Sequence, residues 1–171
     1  MLIGVGADAF GVGLKDSVVE HLHAQGHETA DLSGDPPLDY PDIALTIALD
    51  IAAGRYPRAL LFCATGLGMA IVANKVGGIR AVTVHDAYSA ERSRKSNDAQ
   101  ILTMGAELID PAAAIAVVSR WMATDFAGGR SAAKLRRLKE IDRDLRSPGP
   151  ADPSSAIGAG ATHGQRQRSQ G

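Results

Sequence analysis

Short apolar runs of strand length recur along this chain, each followed by a stretch with helical periodicity. That alternation leaves few architectures open besides a parallel α/β sheet. The clearest run is Ala59 to Cys63, continuously apolar and bounded by Pro57 and by the glycines of Ala64-Thr65-Gly66-Leu67-Gly68, as a central strand buried on both faces would be. Leu2 to Ala7, His27 to Leu32, Ile79 to Val84 and Ala99 to Met104 are the other four strands expected. Between them, Val12 to Gln25 carries Leu14, Val18, Val19 and Leu22 on one stripe, and Gly26 is placed to end that helix in the left-handed conformation. Asp39 or Tyr40 before Pro41 reads as a second helix start, with Ile43, Leu45, Ile47, Leu49 and Ile51 behind it. Further helices are expected over Met69 to Val76, Asp86 to Lys95, from Pro111 through Trp121, and over Arg130 to Arg146.

The last of these holds seven Lys/Arg against three Asp/Glu, with Leu135, Leu138, Ile141 and Leu145 as its apolar stripe, and that stripe calls for a packing partner such as a second subunit. From Ser147 to Gly171 the composition turns to Pro, Gly, Ser, Ala and Gln. The reading is one domain over residues 1–146 and a disordered tail over 147–171.

Charge and cysteine content exclude several classes of function. Eighteen Lys+Arg against 19 Asp+Glu leave a net charge of -1 over 171 residues, so no global field recruits nucleic acid or an anionic membrane. The basic helix lacks interleaved aromatics, which argues against a nucleic-acid face. One cysteine rules out an internal disulfide framework or a cysteine-clustered metal site, and it fits a reducing compartment, the cytoplasm. No apolar run approaches the ~20 residues of a membrane span, and Met1 passes into the first strand without a basic signal region.

In an open parallel sheet, ligands gather at the carboxyl ends of the strands. Asp8, the Cys63 glycine loop, and His85 with Asp86 follow strands, and the Asn97-Asp98 pair precedes one. Cys63 stands next to glycines that permit close backbone approach and to a helix start whose N–H groups can hold an oxyanion or a phosphate. A lone cysteine is also an ordinary core residue. Asp8 reads equally as a turn cap or a ligand contact, and Thr65 as a loop hydroxyl satisfying a backbone N–H. His21 and His23, two apart, face different sides of a helix, so with His27 they read as helix-end histidines rather than metal ligands. Arg130 and Lys134, one turn apart, can reach one phosphate or form a solvated face. No full nucleotide-binding glycine motif is present.

Taken together, these segments resemble the ribose-5-phosphate isomerase type B / galactose-6-phosphate isomerase family, from Met1 to about Leu145. Gly6-Ala7-Asp8-Ala9-Phe10-Gly11-Val12-Gly13-Leu14-Lys15 echoes the family's Gly-Ser-Asp-His-Ala-Gly-x-x-Leu-Lys, and Asp39-Tyr40-Pro41-Asp42 stands intact. Cys63 through Met69 followed by Ala73-Asn74-Lys75 matches its cysteine motif; Gly78-Ile79-Arg80-Ala81, His85-Asp86-Ala87-Tyr88-Ser89-Ala90 and Gly128-Gly129-Arg130 complete the series. The resemblance implies a three-layer α/β/α, Rossmann-like sandwich with a five-stranded parallel sheet and a C-terminal helix used in dimerisation. It also implies catalysis without metal or cofactor, and a homodimer or tetramer whose sites draw on two subunits.

In the residues, the resemblance makes Cys63 the base that moves a proton between C1 and C2 through a cis-enediolate; the branch that uses a glutamate carries it where Met69 stands. Thr65 and the backbone N–H groups of Gly66, Leu67 and Gly68 would polarise the carbonyl and hold the enediolate. Asp8 would bind or relay protons at the sugar hydroxyls, Asn97 would contact substrate oxygens, and Arg130 and Lys134 would hold the phosphate. Three departures bear on the substrate. Members acting on ribose 5-phosphate have histidine where Ala9 and Ser96 stand, the second of them assigned to opening the furanose ring, and many have a phosphate-binding arginine where Glu107 stands. A tetrose 4-phosphate cannot close a furanose, because its O4 carries the phosphate. The favoured expectation is therefore D-erythrulose 4-phosphate to D-erythrose 4-phosphate, with Ser96-Asn97-Asp98-Ala99-Gln100-Ile101 and Gly129-Arg130-Ser131-Ala132 resembling the tetrose-phosphate branch. Ribose 5-phosphate isomerisation, with His85 or a water opening the ring, and a non-catalytic sugar-phosphate-binding subunit are the alternatives.

Overall fold

A computed structural model describes residues 1–147, so the expected tail from Pro148 to Gly171 lies outside the described residues. Five strands, β1 (Leu2–Ala7), β2 (Glu28–Asp31), β3 (Ala59–Cys63), β4 (Ala81–Thr83) and β5 (Ile101–Gly105), form one sheet in the order β2-β1-β3-β5-β4. Every pairing is parallel. The helices are α1 (Val12–Ala24), α2 (Tyr40–Ala52), α3 (Leu67–Ala73), α4 (Ala87–Asn97), α5 (Pro111–Met122) and α6 (Arg130–Arg146).

Alternation along β3 divides the core. Leu60 and Phe62 join Ile3, Val5, Leu102 and Met104 beneath α1 and α5, where Trp121 is fully buried. Ala59, Leu61 and Cys63 face the other way, onto Ile43 and Ile47 of α2 and Met69 of α3. Each large side chain so buried contributes about 1.5–3 kcal/mol, and β3, buried along its whole length, is the axis of both layers. The three-layer α/β/α sandwich follows.

Local chemistry sets the helix starts. Asp39, Asp86 and Asp110 each accept a backbone N–H from the first turn of α2, α4 and α5, and Pro41 and Pro111 sit where a missing N–H costs nothing. Gly26, at φ +77°, ends the first helical segment as its sequence suggests. Four expectations need correction. α3 spans Leu67–Ala73 rather than Met69 to Val76, because the Lys75 and Val76 N–H groups turn back to carbonyls only three residues earlier. In α2 the inward face is Ile43, Ala44, Ile47, Ala48 and Ile51, leaving Leu45 and Leu49 exposed, because a period of 3.6 places residues two apart on different faces. β4 is shorter than Ile79 to Val84, since Arg80 turns its side chain to the end of α4. β5 starts at Ile101 rather than Ala99, whose N–H is taken by the Ser93 carbonyl in the last turn of α4.

Candidate active site

The carboxyl end of the sheet is built by loops that approach one another through glycine. Gly66, at φ +79°, lies so close to β5 that an added Cβ would stand 2.9–3.1 Å from the Met104 backbone. Gly105 is equally closed off by Thr65, at 2.5 Å from its Cα. Between them sits Cys63, 6% exposed, whose Sγ accepts the Gly66 N–H at 3.0 Å. This hydrogen bond gives the sulfur a backbone donor. It also corrects one expectation: the Gly66 N–H serves Cys63 and is not free to hold an oxyanion. Thr65 Oγ1 receives the Leu67 N–H over 3.4 Å, a long bond that leaves the hydroxyl available to a ligand.

Asp8, at the end of β1, is buried, and one carboxylate oxygen accepts the N–H groups of both Phe10 and Gly11 at 3.0 Å. It therefore fixes the turn into α1, while its Oδ2 makes no hydrogen bond among the described residues and remains open to a sugar hydroxyl. Behind it Ser33 Oγ takes the Ala7 N–H at 2.9 Å and donates to Asp31, which is paired with the buried Lys15. Burial works against the Lys15 charge, but the hydrogen bonds and charges of Asp31 and Asp16 outweigh it and hold its pKa above the ordinary lysine value.

His85 stands after β4, and its Nε2 accepts the Gly105 N–H at 3.0 Å, which requires the neutral ring with its proton on Nδ1. Burial lowers its pKa from 6.5, with the charge of Asp86 opposing the shift. Glu107 is exposed, its own N–H held by the Ala64 carbonyl, so its carboxylate is carried on the loop beside Cys63.

The remaining site residues are elsewhere. Asn97 closes α4 and precedes β5, whereas Cys63 is in register with Gly105 at the far end of that strand. At about 3.3 Å per residue, the length of β5 alone separates the two by roughly 13 Å. Asn97 and Lys134 instead line a cleft of about 240 Å³ between α4 and α6, with Arg92, Ser96, Ser131, Leu135 and Leu138. Arg130 is exposed at the start of α6, one turn before Lys134. A second cleft, of about 270 Å³ and lined by His21, His27 and Ser119, contains none of the expected site residues. There His21 pairs with Ser119 and His27 with the N-terminal amine, while His23 pairs with Thr29, as helix-end histidines would.

Arg80 stands in the Gly78-Ile79-Arg80-Ala81 motif, where the sequence alone gives it no task. Its guanidinium, 9% exposed, donates to the carbonyls of Asn97, Asp98 and Gly78 and to the Asp98 carboxylate at 2.9–3.1 Å. Arg94 grips the other Asp98 oxygen at 3.0 Å and the Ala99 carbonyl at 2.8 Å. Together they hold Asp98 in the left-handed conformation, φ 50°, that aims the end of α4. An arginine opening an otherwise apolar strand was the available signal.

Comparison with known proteins places the chain that carries this thiol, carboxylate and cation-bearing cleft in one family. A family model described as Ribose/Galactose Isomerase matches residues 3–138, and the chain belongs to that family. It is an isomerase of the class that interconverts aldose and ketose sugar phosphates. Among its relatives are the ribose-5-P isomerase B of Listeria innocua, 45% identical over 148 residues (85% of this chain, 100% of the relative), and the D-erythrulose-4-phosphate isomerase of Pectobacterium atrosepticum, 44% identical over 139 residues (80% and 91%). The solved ribose-5-phosphate isomerase B of Clostridium thermocellum is 37% identical, with a TM-score of 0.80 over 85% of this chain and 99% of that one.

Proposed function

We propose that the protein interconverts D-erythrulose 4-phosphate and D-erythrose 4-phosphate through a cis-enediolate, with Cys63 as the base. In the ketose direction of binding, the Cys63 thiolate takes a proton from C1 and the electron pair moves toward the C2 carbonyl, leaving charge on O2. Thr65 Oγ1 and the N–H groups of Leu67 and Gly68 hold that charge, a preorganised contribution of several kcal/mol as an order of magnitude. The Cys63 thiol then returns the proton to C2, while Asp8 Oδ2 relays the hydroxyl proton from O1 to O2. One C–H bond breaks and one forms, and no external oxidant or reductant enters.

The observation that carries the substrate assignment is the lack, among the described residues, of an available ring-opening histidine. Ala9 follows Asp8, Ser96 precedes Asn97, and His85, the histidine at this end of the sheet among the described residues, has its Nε2 committed to the Gly105 N–H. A tetrose 4-phosphate needs no ring opening. The relative named for D-erythrulose 4-phosphate, at 44% identity, supports the same reading.

A second copy of the chain completes the site in this reading. Cys63, Thr65 and Asp8 belong to one end of the sheet and Asn97, Lys134 and Arg130 to the other, so a protomer offers two halves that its partner's halves would meet. The α6 stripe is consistent with such a partner: Leu135 is buried on its own chain, while Leu138, Ile141 and Leu145 are 41%, 43% and 78% exposed. Mixing inactive Cys63→Ala protein with inactive Asn97→Ala protein should restore part of the wild-type activity; no recovery after subunit exchange would contradict sharing.

The relative named for ribose 5-phosphate, at 45% identity, supports a second reading. Proton NMR in D2O with erythrulose 4-phosphate and ribulose 5-phosphate in separate samples distinguishes the two. Deuterium incorporation and aldose formation from the tetrulose alone are expected. Preference for the pentulose would replace the tetrose assignment, and binding without turnover of either would mark a non-catalytic subunit.

A further inference from the structure

The cleft between α4 and α6 holds a charge that nothing among the described residues neutralises. Arg92 and Ser96 are one helical turn apart on α4, and Ser131 and Lys134 one turn apart on α6, so two pairs of polar side chains face one concavity floored by Leu135 and Leu138. The other two cations of α4 are paired, Arg94 with Asp98 and Lys95 with Glu91, and Glu91 also takes Arg120 from α5. Arg92 alone on that helix makes no ion pair among the described residues, and Lys134 across the cleft makes none either. Ser96 Oγ is buried beside them with no hydrogen-bond partner among the described residues. A buried hydroxyl without a partner is costly, and two cations without an acid partner line the same cleft; a bound oxyanion would answer both.

We propose that Arg92 is a phosphate-contacting residue that sets the affinity of this cleft for a phosphomonoester dianion, acting with Lys134 and with Ser96 as a neutral donor. The proposal rests on the sugar-phosphate reading given above and extends it to a residue outside the family motifs quoted there. It also answers the charge lost at Glu107. A phosphate ester carries about -1.5 to -2 at neutral pH, and Arg92 restores a cation to the set formed by Arg130 and Lys134.

The test uses the full chain and two readouts: kcat and KM on erythrulose 4-phosphate, and the Kd of inorganic phosphate by titration calorimetry at low salt. Arg92→Gln should raise both KM and the phosphate Kd about tenfold, about 1.4 kcal/mol, while kcat stays within about twofold. Arg92→Lys should recover most of the loss, since it keeps the charge. Arg136→Gln, which removes a cation of α6 that does not line the cleft, should leave both constants near wild type. Unchanged constants in Arg92→Gln, or an equal change in Arg136→Gln, would overturn the proposal. Wild-type protein that binds phosphate through Arg92 yet turns over no sugar phosphate would refute the isomerase reading and leave this one standing.

Discussion

Gly66 and Gly26 have nearly the same backbone conformation, φ +79° and +77°, but opposite surroundings, and replacing each by alanine separates backbone strain from close packing. At Gly26 nothing lies within 4 Å of an added Cβ, so the cost is that of a left-handed alanine, about 1–2 kcal/mol. At Gly66 the added methyl meets the nitrogen, Cα and carbonyl carbon of Met104 at 2.9–3.1 Å, and these belong to β5 and cannot rotate away. Overpacking of that kind adds about 1–3 kcal/mol, so Gly66→Ala should cost about 2–5 kcal/mol in all. For a domain of this size each kcal/mol is worth about 2–4 °C in Tm, and urea denaturation of both variants measures the difference. The chemistry should follow the geometry: displacing residue 66 moves the N–H that holds Cys63 Sγ, so Gly66→Ala should lose kcat while Gly26→Ala keeps it. Gly66→Ala no less stable than Gly26→Ala, or fully active, would refute the claim that close approach of the two loops builds the thiol site.

Arg80→Met leaves the Asn97 and Asp98 carbonyls and part of the Asp98 carboxylate without a donor, the Gly78 carbonyl keeping Gln100; a loss of about 3 kcal/mol in unfolding free energy is expected, with KM raised through Asn97. For His85, whose folded-state pKa is lowered, the stabilising contribution is full above the unfolded value of 6.5 and is lost as pH falls through the folded-state pKa, when protonation of Nε2 breaks the bond to Gly105 N–H. Unfolding free energy of wild type should therefore drop on acidification below 6.5 by more than that of His85→Gln. Introducing Ala9→His with Ser96→His should raise kcat/KM on ribose 5-phosphate about a hundredfold, the low end of general acid–base catalysis, if ring opening is the missing step; no gain in a coupled assay would assign the preference to the phosphate contacts.

Much of the fold could be read from the chain because its signals are local. β1, β3 and α6 have the bounds expected from apolar runs and from Gly129, and the proline-opened helices begin where a proline permits. What failed was tertiary. The shortening of β4 and the late start of β5 both come from Arg80, Arg94 and Ala99 serving the end of α4, partners 17 or more residues apart in the first case and invisible to periodicity. The position of β5 between β3 and β4 is likewise a property of the sheet and not of any segment. In the site, the motifs around Asp8 and Cys63 lie at adjacent strand ends and can be recognised together. That Asn97 and Lys134 lie at the opposite end follows only from the parallel register, and Arg92 enters only when α4 and α6 are seen to enclose a cleft.

The central claim is that Cys63 Sγ removes and returns the proton. Its most direct test is wash-in of deuterium at C1 of erythrulose 4-phosphate in D2O, followed by NMR for wild type and for Cys63→Ala, with circular dichroism to confirm that the fold is kept. Exchange and aldose formation in wild type, and neither in the folded variant, is the predicted result. Exchange at the wild-type rate in Cys63→Ala would show that another group is the base.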